Sequence, residues 1–391
     1  MTAAPEAAPI PVTVITGFLG SGKTTLLRHL LGFPELADTA VLINELGEVG
    51  LDHHLVRQID ENVVVLPSGC LCCSIRDDLG VAMRELLARR DLGTVPPFRR
   101  LALETTGLAD PVPILHTLLT EPVIDRAFRL RRVVATVDAV HGDGQLARQP
   151  ESVKQAAIAD CIVVTKTDLA PADDVAALEL RLRRLNPSAA IHAQGLAGLR
   201  PDDLLAGADF DPAGKSADVQ RGFREEGAGH GDADGHALGH DGHDGHEHGT
   251  RHDERIAACS MVFDEPIDWS AFCIWLTMLL QARGPDILRV KGLLDVPGRS
   301  GPVVIDGVQH IVHDPIHLER WTDEDRRSRL VVIARDIPAG ALEASLRTFN
   351  RAARRLASRD DGAAAEPVAT GAGRQLAGRP YRRAGAPSWM K

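Results

Sequence analysis

The chain has 391 residues, and its 44 Lys and Arg against 54 Asp and Glu give a formal net charge of −10 and a pI near 5.9. That acidic balance argues against a nucleic-acid backbone or an anionic membrane as the main partner. Residues 1–9 lack the basic start and apolar run of a signal peptide, and the longest apolar stretch, around 269–280, is shorter than the ~20 residues of a spanning helix. We therefore expect a cytoplasmic protein whose thiols stay reduced, where clustered cysteines indicate metal or redox chemistry rather than a disulfide.

Short β-branched runs alternate with helical stretches over the first half of the chain. The predicted strands are residues 12–16, 40–44, 63–66, 100–103, 133–137, 161–165 and 190–192. The clearest predicted helices are residues 24–31, 75–90 and 173–185. Most of the strands are near-continuous apolar runs, which is typical of strands buried on both faces of a parallel sheet. The pattern predicts an α/β domain with a doubly wound, mostly parallel sheet over residues 11–210.

The composition changes sharply after this domain. Residues 211–256 are rich in Gly, Asp and His and have almost nothing apolar to bury, which predicts a disordered linker. Neutral imidazoles bind Zn²⁺, Ni²⁺ and Co²⁺, so the linker either collects metal or is a solvated spacer. It holds seven of the sixteen histidines: His230, His236, His240, His243, His246, His248 and His252.

A smaller α/β domain is predicted over residues 257–354, followed by a disordered tail over 355–391. Its predicted strands are 258–263, 288–296, 302–312 and 330–334, and its helices are 269–282 and 341–354. Short connections indicate antiparallel pairing. No catalytic set is evident, and His310, His313 and His317, near Pro315, are interpreted as surface or packing residues. We expect this domain to offer a surface for a client protein or for homo-oligomerisation.

Residues 17–24, G-F-L-G-S-G-K-T, form a complete G-x-x-x-x-G-K-T phosphate-binding loop between a predicted strand and a predicted helix. In this pattern the glycines, here from Gly17 to Gly22, let backbone N–H groups approach the phosphates. Lys23 would reach the β- and γ-phosphate oxygens, and the hydroxyl of Thr24 would ligate Mg²⁺. The helix N-terminus adds its dipole to anion binding. The motif in this setting predicts a P-loop nucleotide hydrolase.

Acidic residues follow two of the predicted strands. Glu104 follows strand 100–103 and stands three residues before Gly107, where a P-loop enzyme senses Mg²⁺ and the γ-phosphate. We expect a water-mediated link from Glu104 to the metal. Glu45 and Glu48 follow the second strand, where a switch segment would face the γ-phosphate. We expect Glu45 to orient water or reach the metal, and solvated loop acids are the alternative, above all for Glu48.

The segment Thr165-Lys166-Thr167-Asp168 ends strand 161–165 and fits the [NT]-K-x-D pattern of guanine recognition. The Asp168 carboxylate would accept hydrogen bonds from the N1–H and the 2-amino group of guanine, while the stem of Lys166 packs on the base. Adenine lacks that pair of donors. The sequence therefore predicts GTP rather than ATP.

Three thiols, Cys70, Cys72 and Cys73, lie within four residues between strand 63–66 and helix 75–90. The start of a helix lowers a thiolate pKa, and thiolates favour Zn²⁺ or another borderline-soft metal. A structural zinc usually has four ligands, so three indicate a site made for exchange. A redox dithiol is the competing interpretation, and no thioredoxin-like pattern surrounds the cluster. The other cysteines are interpreted as core residues: Cys161, Cys259 and Cys273.

Together these motifs resemble the CobW-type family of metallochaperone GTPases, which includes the zinc-regulated GTPase metalloprotein activators and belongs to the SIMIBI class of P-loop GTPases. The matching stretches are TGFLGSGKTTLLRHLL, INELGEVGLD, SGCLCCSIRDDL, ETTGLADP, VDAVH and TKTDL, with LRVKGLL and DGVQH in the second domain. The match runs from about residue 12 to 348, apart from the linker.

The resemblance implies a GTPase that binds Zn²⁺ or Co²⁺ at Cys70, Cys72 and Cys73 and hands it to a client apoprotein in step with GTP hydrolysis. It gives Glu104 the acidic role on the Mg²⁺ side of the site, and it assigns base recognition to Lys166 and Asp168. The guanine motif begins with Thr165 rather than Asn, which removes a side-chain amide but keeps the discriminating acid. The phosphate and Mg²⁺ contacts that it implies are Gly20, Ser21, Gly22, Lys23, Thr24 and Thr25. GTP would tighten the metal site and hydrolysis would loosen it, and the coupling must be reciprocal.

Three other functions are compatible with parts of the sequence. A cobalt-delivering GTPase of cobalamin synthesis would use the same machinery with another metal and client. A metal-storage protein would use its nucleotide site only to gate binding, and GTP turnover separates the two classes. A small-molecule P-loop kinase would need an acceptor pocket and a lid, for which the sequence gives no signal. A kinase function would also leave the cysteine cluster unexplained.

Overall fold

A computed structural model describes residues 8–44, 63–66, 74–201, 204, 256–321 and 324–363. The first domain is built on a sheet of seven parallel strands in the order β3-β2-β4-β1-β5-β6-β7. The strands are β1 Ile10–Gly17, β2 Thr39–Asn44, β3 Val63–Leu66, β4 Arg100–Glu104, β5 Phe128–Asp138, β6 Cys161–Thr165 and β7 Ala190–His192. The predicted parallel α/β fold is confirmed.

Helices cover this sheet because each buries an apolar stripe on it. In α1 the stripe contains Leu26, Leu27 and Leu30, and in α7 it is Leu178 and Leu182, one turn apart. The helices are α1 Lys23–Leu31, α2 Ser74–Asp91, α3 Val112–Thr120, α4 Pro122–Ala127, α5 Gly142–Arg148, α6 Pro150–Ile158 and α7 Ala172–Leu185. Strand β1 is buried along its whole length, as its apolar sequence predicts.

The second domain is an antiparallel sheet in the order β11-β10-β9-β13-β8, with β12 paired to β10, and two helices. Its strands are β8 Ile256–Phe263, β9 Ile287–Leu294, β10 Val303–Val308, β11 Ile311–Val312, β12 Ile316–His317 and β13 Ser328–Arg335. Its helices are α8 Trp269–Arg283 and α9 Ala339–Ala363. The predicted antiparallel pairing is confirmed.

Two predicted boundaries in this domain are wrong. The single strand expected over residues 302–312 is a hairpin, β10 and β11, because Gln309 takes a left-handed backbone with φ 51° and reverses the chain. His310 lies exposed in that turn, and His317 lies exposed in β12. Helix α9 continues to Ala363, so the tail expected to be disordered from residue 355 begins as helix.

The central strands β9, β10 and β13 of the second sheet are buried on both faces, and the two-residue period of β13 assigns each face to a different neighbour. Val332 and Leu330 of β13 pack against α8 and α9, whereas Val331 and Ile333 belong to the core that contains β1 of the first domain. The same core takes in Ile158 at the end of α6. The two domains therefore share one continuous apolar core.

A cluster of buried charges lies within that shared core. Asp160, between α6 and β6, contacts Arg289 and Lys291 of β9, and the Lys291 Nζ to Asp160 Oδ1 distance is 2.8 Å. Arg289 also pairs with Asp306 of β10 at 2.8 Å. All four side chains are buried, so two cations and two anions neutralise each other away from water. The cluster fixes β9 against the point where the chain enters β6.

Within the described part of the chain, every helix is too short or too polar to cross a bilayer.

Candidate functional site

The phosphate-binding loop lies at the carboxyl edge of the sheet, between β4 and β5. Strand β1 ends at Gly17 and α1 begins at Lys23, as the motif predicts. Gly22 precedes the helix in a left-handed conformation with φ 90°, which an L side chain rarely adopts. The first turn of α1 contains no acidic residue of its own, and the positive end of the helix dipole there favours an anion.

Side chains of the neighbouring strands hold the loop in shape. The Ser21 hydroxyl is 2.6 Å from the hydroxyl of Thr136 on β5. The Thr165 hydroxyl at the end of β6 donates to the Ser21 carbonyl at 2.7 Å. Lys23 Nζ donates to the carbonyls of Gly17 at 2.9 Å and Phe18 at 3.2 Å. The loop is thus preformed, and its lysine ammonium lies folded along it.

Glu104 and Thr24 are brought together, although 80 positions separate them in the chain. The Thr24 hydroxyl donates to Glu104 Oε1 at 2.7 Å, and the carboxylate is buried. The strand register explains this contact, because Glu104 of β4 lies beside Ile15 of β1, and β1 leads directly into the phosphate-binding loop. Two hard oxygen groups therefore lie side by side at the start of α1, and Thr25 beside them is exposed.

The segment after β4 rests on the phosphate-binding loop. A Cβ added to Gly107 would lie 2.7 Å from the backbone nitrogen of Leu19, so only glycine permits this approach. Helix α6 anchors the segment from the other side. The buried amide of Gln155 donates to the carbonyls of Gly107 at 3.2 Å and Ala109 at 3.1 Å, and Lys154 pairs with Asp110 at 2.9 Å.

The predicted guanine motif lies at the same edge, at the end of β6, two strands from β1 in the sheet. Lys166 takes a left-handed backbone with φ 56°, and its carbonyl accepts from Leu169 N–H at 3.0 Å, which forms a tight turn. Asp168 within that turn is exposed. The buried Thr165 contacts the phosphate-binding loop, as described above, so the two nucleotide motifs are joined directly.

Sequence reasoning missed one member of this region, Asp138. It ends β5, is buried, and lies beside Thr165 in the strand register. Its Oδ1 accepts from Val140 N–H at 2.8 Å, and its Oδ2 accepts from Lys166 Nζ at 2.6 Å. Burial raises the pKa of Asp138, but the Lys166 bond and the backbone donors outweigh it and hold that pKa below its ordinary value. An acid at the end of a parallel strand was the signal available.

The predicted metal ligands and switch acids lie outside the described residues. These are Cys70, Cys72, Cys73, Glu45 and Glu48. The described flanks show where the chain leaves and returns: β2 and β3 end side by side at Asn44 and Leu66, and α2 begins at Ser74. Both strands end at the edge where β1 and β4 end, which is the edge of the phosphate-binding loop.

The remaining cysteines are buried, as predicted: Cys161, Cys259 and Cys273. Burial raises the pKa of Cys259 and of Cys273 to about 11, with smaller contributions from the acids Glu343 and Asp268. Both groups are therefore protonated thiols at neutral pH and poor metal ligands. Among the described residues, no group of three His, Cys, Asp or Glu side chains is arranged to hold a metal.

Two family models match the two domains in turn. The CobW/HypB/UreG nucleotide-binding domain matches residues 11–193, and the cobalamin synthesis protein cobW C-terminal domain matches residues 256–350. The zinc chaperone YjiA of Escherichia coli is 32% identical over 337 residues, which cover 86% of this chain and 98% of that protein. This chain belongs to the CobW family.

Two further comparisons agree with this assignment. The zinc chaperone CobW of Pseudomonas aeruginosa is 32% identical over 363 residues, covering 87% of this chain and 92% of that protein. The crystal structure of Zn(II)-bound YjiA GTPase from E. coli superposes with a TM-score of 0.59 at 28% identity, covering 88% of this chain and 99% of that one. The match extends over both domains, so the chain has the two-domain arrangement of a CobW-family protein.

Proposed function

We propose that this CobW-family protein is a GTP-hydrolysing metallochaperone that binds Zn²⁺ at Cys70, Cys72 and Cys73 and transfers it to a client metalloprotein. Similar proteins that are named zinc chaperones support zinc over cobalt as the cargo. We place this activity in the cytoplasm, where thiols stay reduced and free to exchange metal.

The contact between the two nucleotide motifs carries the nucleotide part of the proposal. Thr165 binds the Ser21 carbonyl at 2.7 Å, and the exposed carboxylate of Asp168 lies three residues further on. One nucleotide could therefore bind both motifs, with its base donating two hydrogen bonds to Asp168 and its phosphates in the phosphate-binding loop. Guanine has that pair of donors and adenine does not.

The residues at the start of α1 fit Mg²⁺. The cation prefers hard oxygen ligands, and the Thr24 hydroxyl and Glu104 carboxylate are adjacent at 2.7 Å. Thr24 would hold the ion directly, and Glu104 would hold it through water. Bound Mg²⁺ would neutralise charge on the β- and γ-phosphates.

In hydrolysis, a water oxygen bonds to the γ-phosphorus while the bond from that phosphorus to the β–γ bridging oxygen breaks, which gives GDP and phosphate. Lys23 would exchange its bonds to Gly17 and Phe18 for bonds to phosphate oxygens, and so stabilise the charge that moves onto the bridging oxygen. The loop amides need no rearrangement because the loop is preformed. Glu45, outside the described residues, is proposed to orient the water.

The sheet edge links the metal to the nucleotide in this proposal. The cysteine segment is bounded by β3 and α2, and the segment with Glu45 begins at the end of β2, beside the strands that lead to the phosphate-binding loop. A γ-phosphate that orders these segments would tighten zinc binding, and zinc would tighten GTP binding by the same factor. Hydrolysis would loosen the site for transfer to the client.

The test measures Zn²⁺ and Co²⁺ affinities by competition with a chromophoric chelator, with Mg²⁺ and either GDP or a non-hydrolysable GTP analogue. The variant is Cys70→Ser/Cys72→Ser/Cys73→Ser. The matched control, Cys259→Ala/Cys273→Ala, removes thiols that burial keeps protonated. We expect tighter Zn²⁺ binding with the GTP analogue, lost in the triple variant and kept in the control. Size-exclusion chromatography of the same samples reports homo-oligomerisation.

Each alternative has its own outcome. Equal Zn²⁺ affinities with GDP and with the GTP analogue would contradict the proposed coupling between nucleotide binding and metal binding. Nucleotide-dependent metal binding without GTP turnover would indicate a storage protein, and a preference for Co²⁺ would indicate cobalt delivery. Deleting residues 229–252 should leave binding at the cysteines intact and slow transfer at limiting metal only if the His-rich linker collects metal.

A further inference from the structure

Asp138 has two oxygens with two separate partners. Oδ1 accepts from the backbone N–H groups of Val140 at 2.8 Å and His141 at 3.4 Å, and so closes the turn after β5. Oδ2 accepts from Lys166 Nζ at 2.6 Å. A neutral amide or hydroxyl oxygen would serve the turn as well. The partner that most needs the negative charge is therefore Lys166, whose ammonium forms an ion pair with it.

Lys166 is held at both of its ends. Its backbone is fixed in the left-handed region, and the Leu169 N–H bond to its carbonyl closes the turn that contains Asp168. Its ammonium is fixed by Asp138, whose side chain is 2% exposed, whereas the Lys166 side chain is 36% exposed. The four-carbon stem therefore spans between two fixed points, with part of its surface open to solvent beside Asp168.

We propose that Asp138 is a positioning residue for the guanine base, acting through Lys166. This inference rests on the proposed GTP function. A free lysine side chain loses rotamer entropy when a base packs on it. Anchoring the ammonium removes most of that cost before the nucleotide arrives. Asp138 thus holds the Lys166 stem as a preformed surface for the base. The Asp168 carboxylate beside it would accept hydrogen bonds from the edge of the base.

The inference predicts which kinetic constant changes. Contacts to the base are the same in the ground state and the transition state, so their loss raises KM and leaves kcat nearly unchanged. We expect Asp138→Asn to weaken GTP and GDP binding by up to about tenfold, because the base must then order a lysine stem that is no longer anchored. The amide of the variant still accepts from Val140 N–H, so the turn is kept.

A double-mutant cycle separates positioning from a structural role. Lys166→Met keeps an apolar stem and removes the ammonium, so Asp138→Asn should cost nothing further in that background. The experiment measures GTP and GDP Kd, KM, kcat and melting temperature for the wild type, both single variants and the double variant. Asp143→Asn, whose ion pair with Arg181 lies on the surface five residues away, is the matched control and should behave as the wild type.

Three results would overturn the inference: unchanged nucleotide affinity in Asp138→Asn, equal losses from that substitution in the wild-type and Lys166→Met backgrounds, or a fall in kcat with KM constant. Asp138→Ser, whose hydroxyl also accepts from the turn, is the second variant. If neither variant folds, the carboxylate serves the fold and the inference is wrong. Failure of the GTP proposal is a separate result, because the wild type itself would then not bind GTP.

Discussion

Two buried aspartates lie at opposite edges of the same pair of strands. Asp138 ends β5 beside Thr165, and Asp160 precedes the start of β6. Each carboxylate binds a lysine ammonium, at 2.6 Å from Lys166 and at 2.8 Å from Lys291. Their surroundings differ, because the Lys166 side chain is 36% exposed and the Lys291 side chain is 1% exposed.

This difference indicates what each ion pair is for. At the domain boundary the charges neutralise each other in a closed cluster, which leaves nothing for a ligand to reach and fixes one domain against the other. At the nucleotide edge one partner stays accessible, so the pair can present a side chain to a ligand. Substitutions at the two edges should therefore change different quantities: stability at Asp160, and nucleotide recognition at Asp168 and Asp138.

The largest effect is expected from Asp160→Ala. The substitution removes the buried counter-charge that Arg289 and Lys291 share, and loss of one partner from a buried ion pair costs about 3–5 kcal/mol. Urea unfolding followed by circular dichroism should show the loss, while GTP affinity of the folded protein stays close to that of the wild type. Asp143→Ala, which breaks a surface ion pair, should cost at most about 1 kcal/mol. Similar losses in the two variants would contradict the comparison.

The second-largest effect is expected at Asp168, where a substitution should weaken nucleotide binding and leave the stability of the fold unchanged. Asp168→Asn replaces an exposed acceptor of two donors with an amide, which should weaken GTP binding roughly hundredfold. Because xanthine carries a carbonyl where guanine carries its 2-amino group, the amide should favour xanthosine triphosphate. Competition against a fluorescent guanine nucleotide measures both. Unchanged preference for GTP would show that Asp168 does not read the base.

A smaller effect is expected at Gln155, which links the nucleotide edge to α6, the helix that leads to Asp160. Its amide holds the carbonyls of Gly107 and Ala109 at 3.2 Å and 3.1 Å. Gln155→Ala should loosen the segment that follows Glu104 and lower kcat for GTP about threefold to tenfold, the effect of one or two neutral hydrogen bonds. The control is Gln281→Ala on the exposed surface of α8. A drop in stability with kcat unchanged would make Gln155 a structural residue only.

The parallel strands and both nucleotide motifs could be predicted from the sequence because each is formed by residues that are consecutive in the chain. Apolar runs indicate the strands, and the spacing G-x-x-x-x-G-K-T by itself predicts a phosphate-binding loop. The pairing of Asp138 with Lys166 was not predictable in this way, since it depends on the register between β5 and β6. The same holds for Asp160 and Lys291, which meet only when the two domains pack together.

A local turn accounts for another miss. Gln309 gives no obvious sequence signal for its left-handed backbone, so the hairpin of β10 and β11 was predicted as one strand.

The smallest effect is expected in the acid stability of the protein. The folded-state pKa of Asp138 lies below its ordinary value of 3.8, so its ionised form stabilises the fold above that pH, and this contribution is lost as the pH falls through the folded-state pKa. Asp138→Asn lacks the contribution at every pH. The difference in urea midpoint between the wild type and the variant should therefore be constant from pH 7 to about 5 and shrink below pH 3.8. A difference that persists unchanged to pH 3 would mean that the ion pair with Lys166 adds nothing to stability, and that its charge serves nucleotide recognition alone.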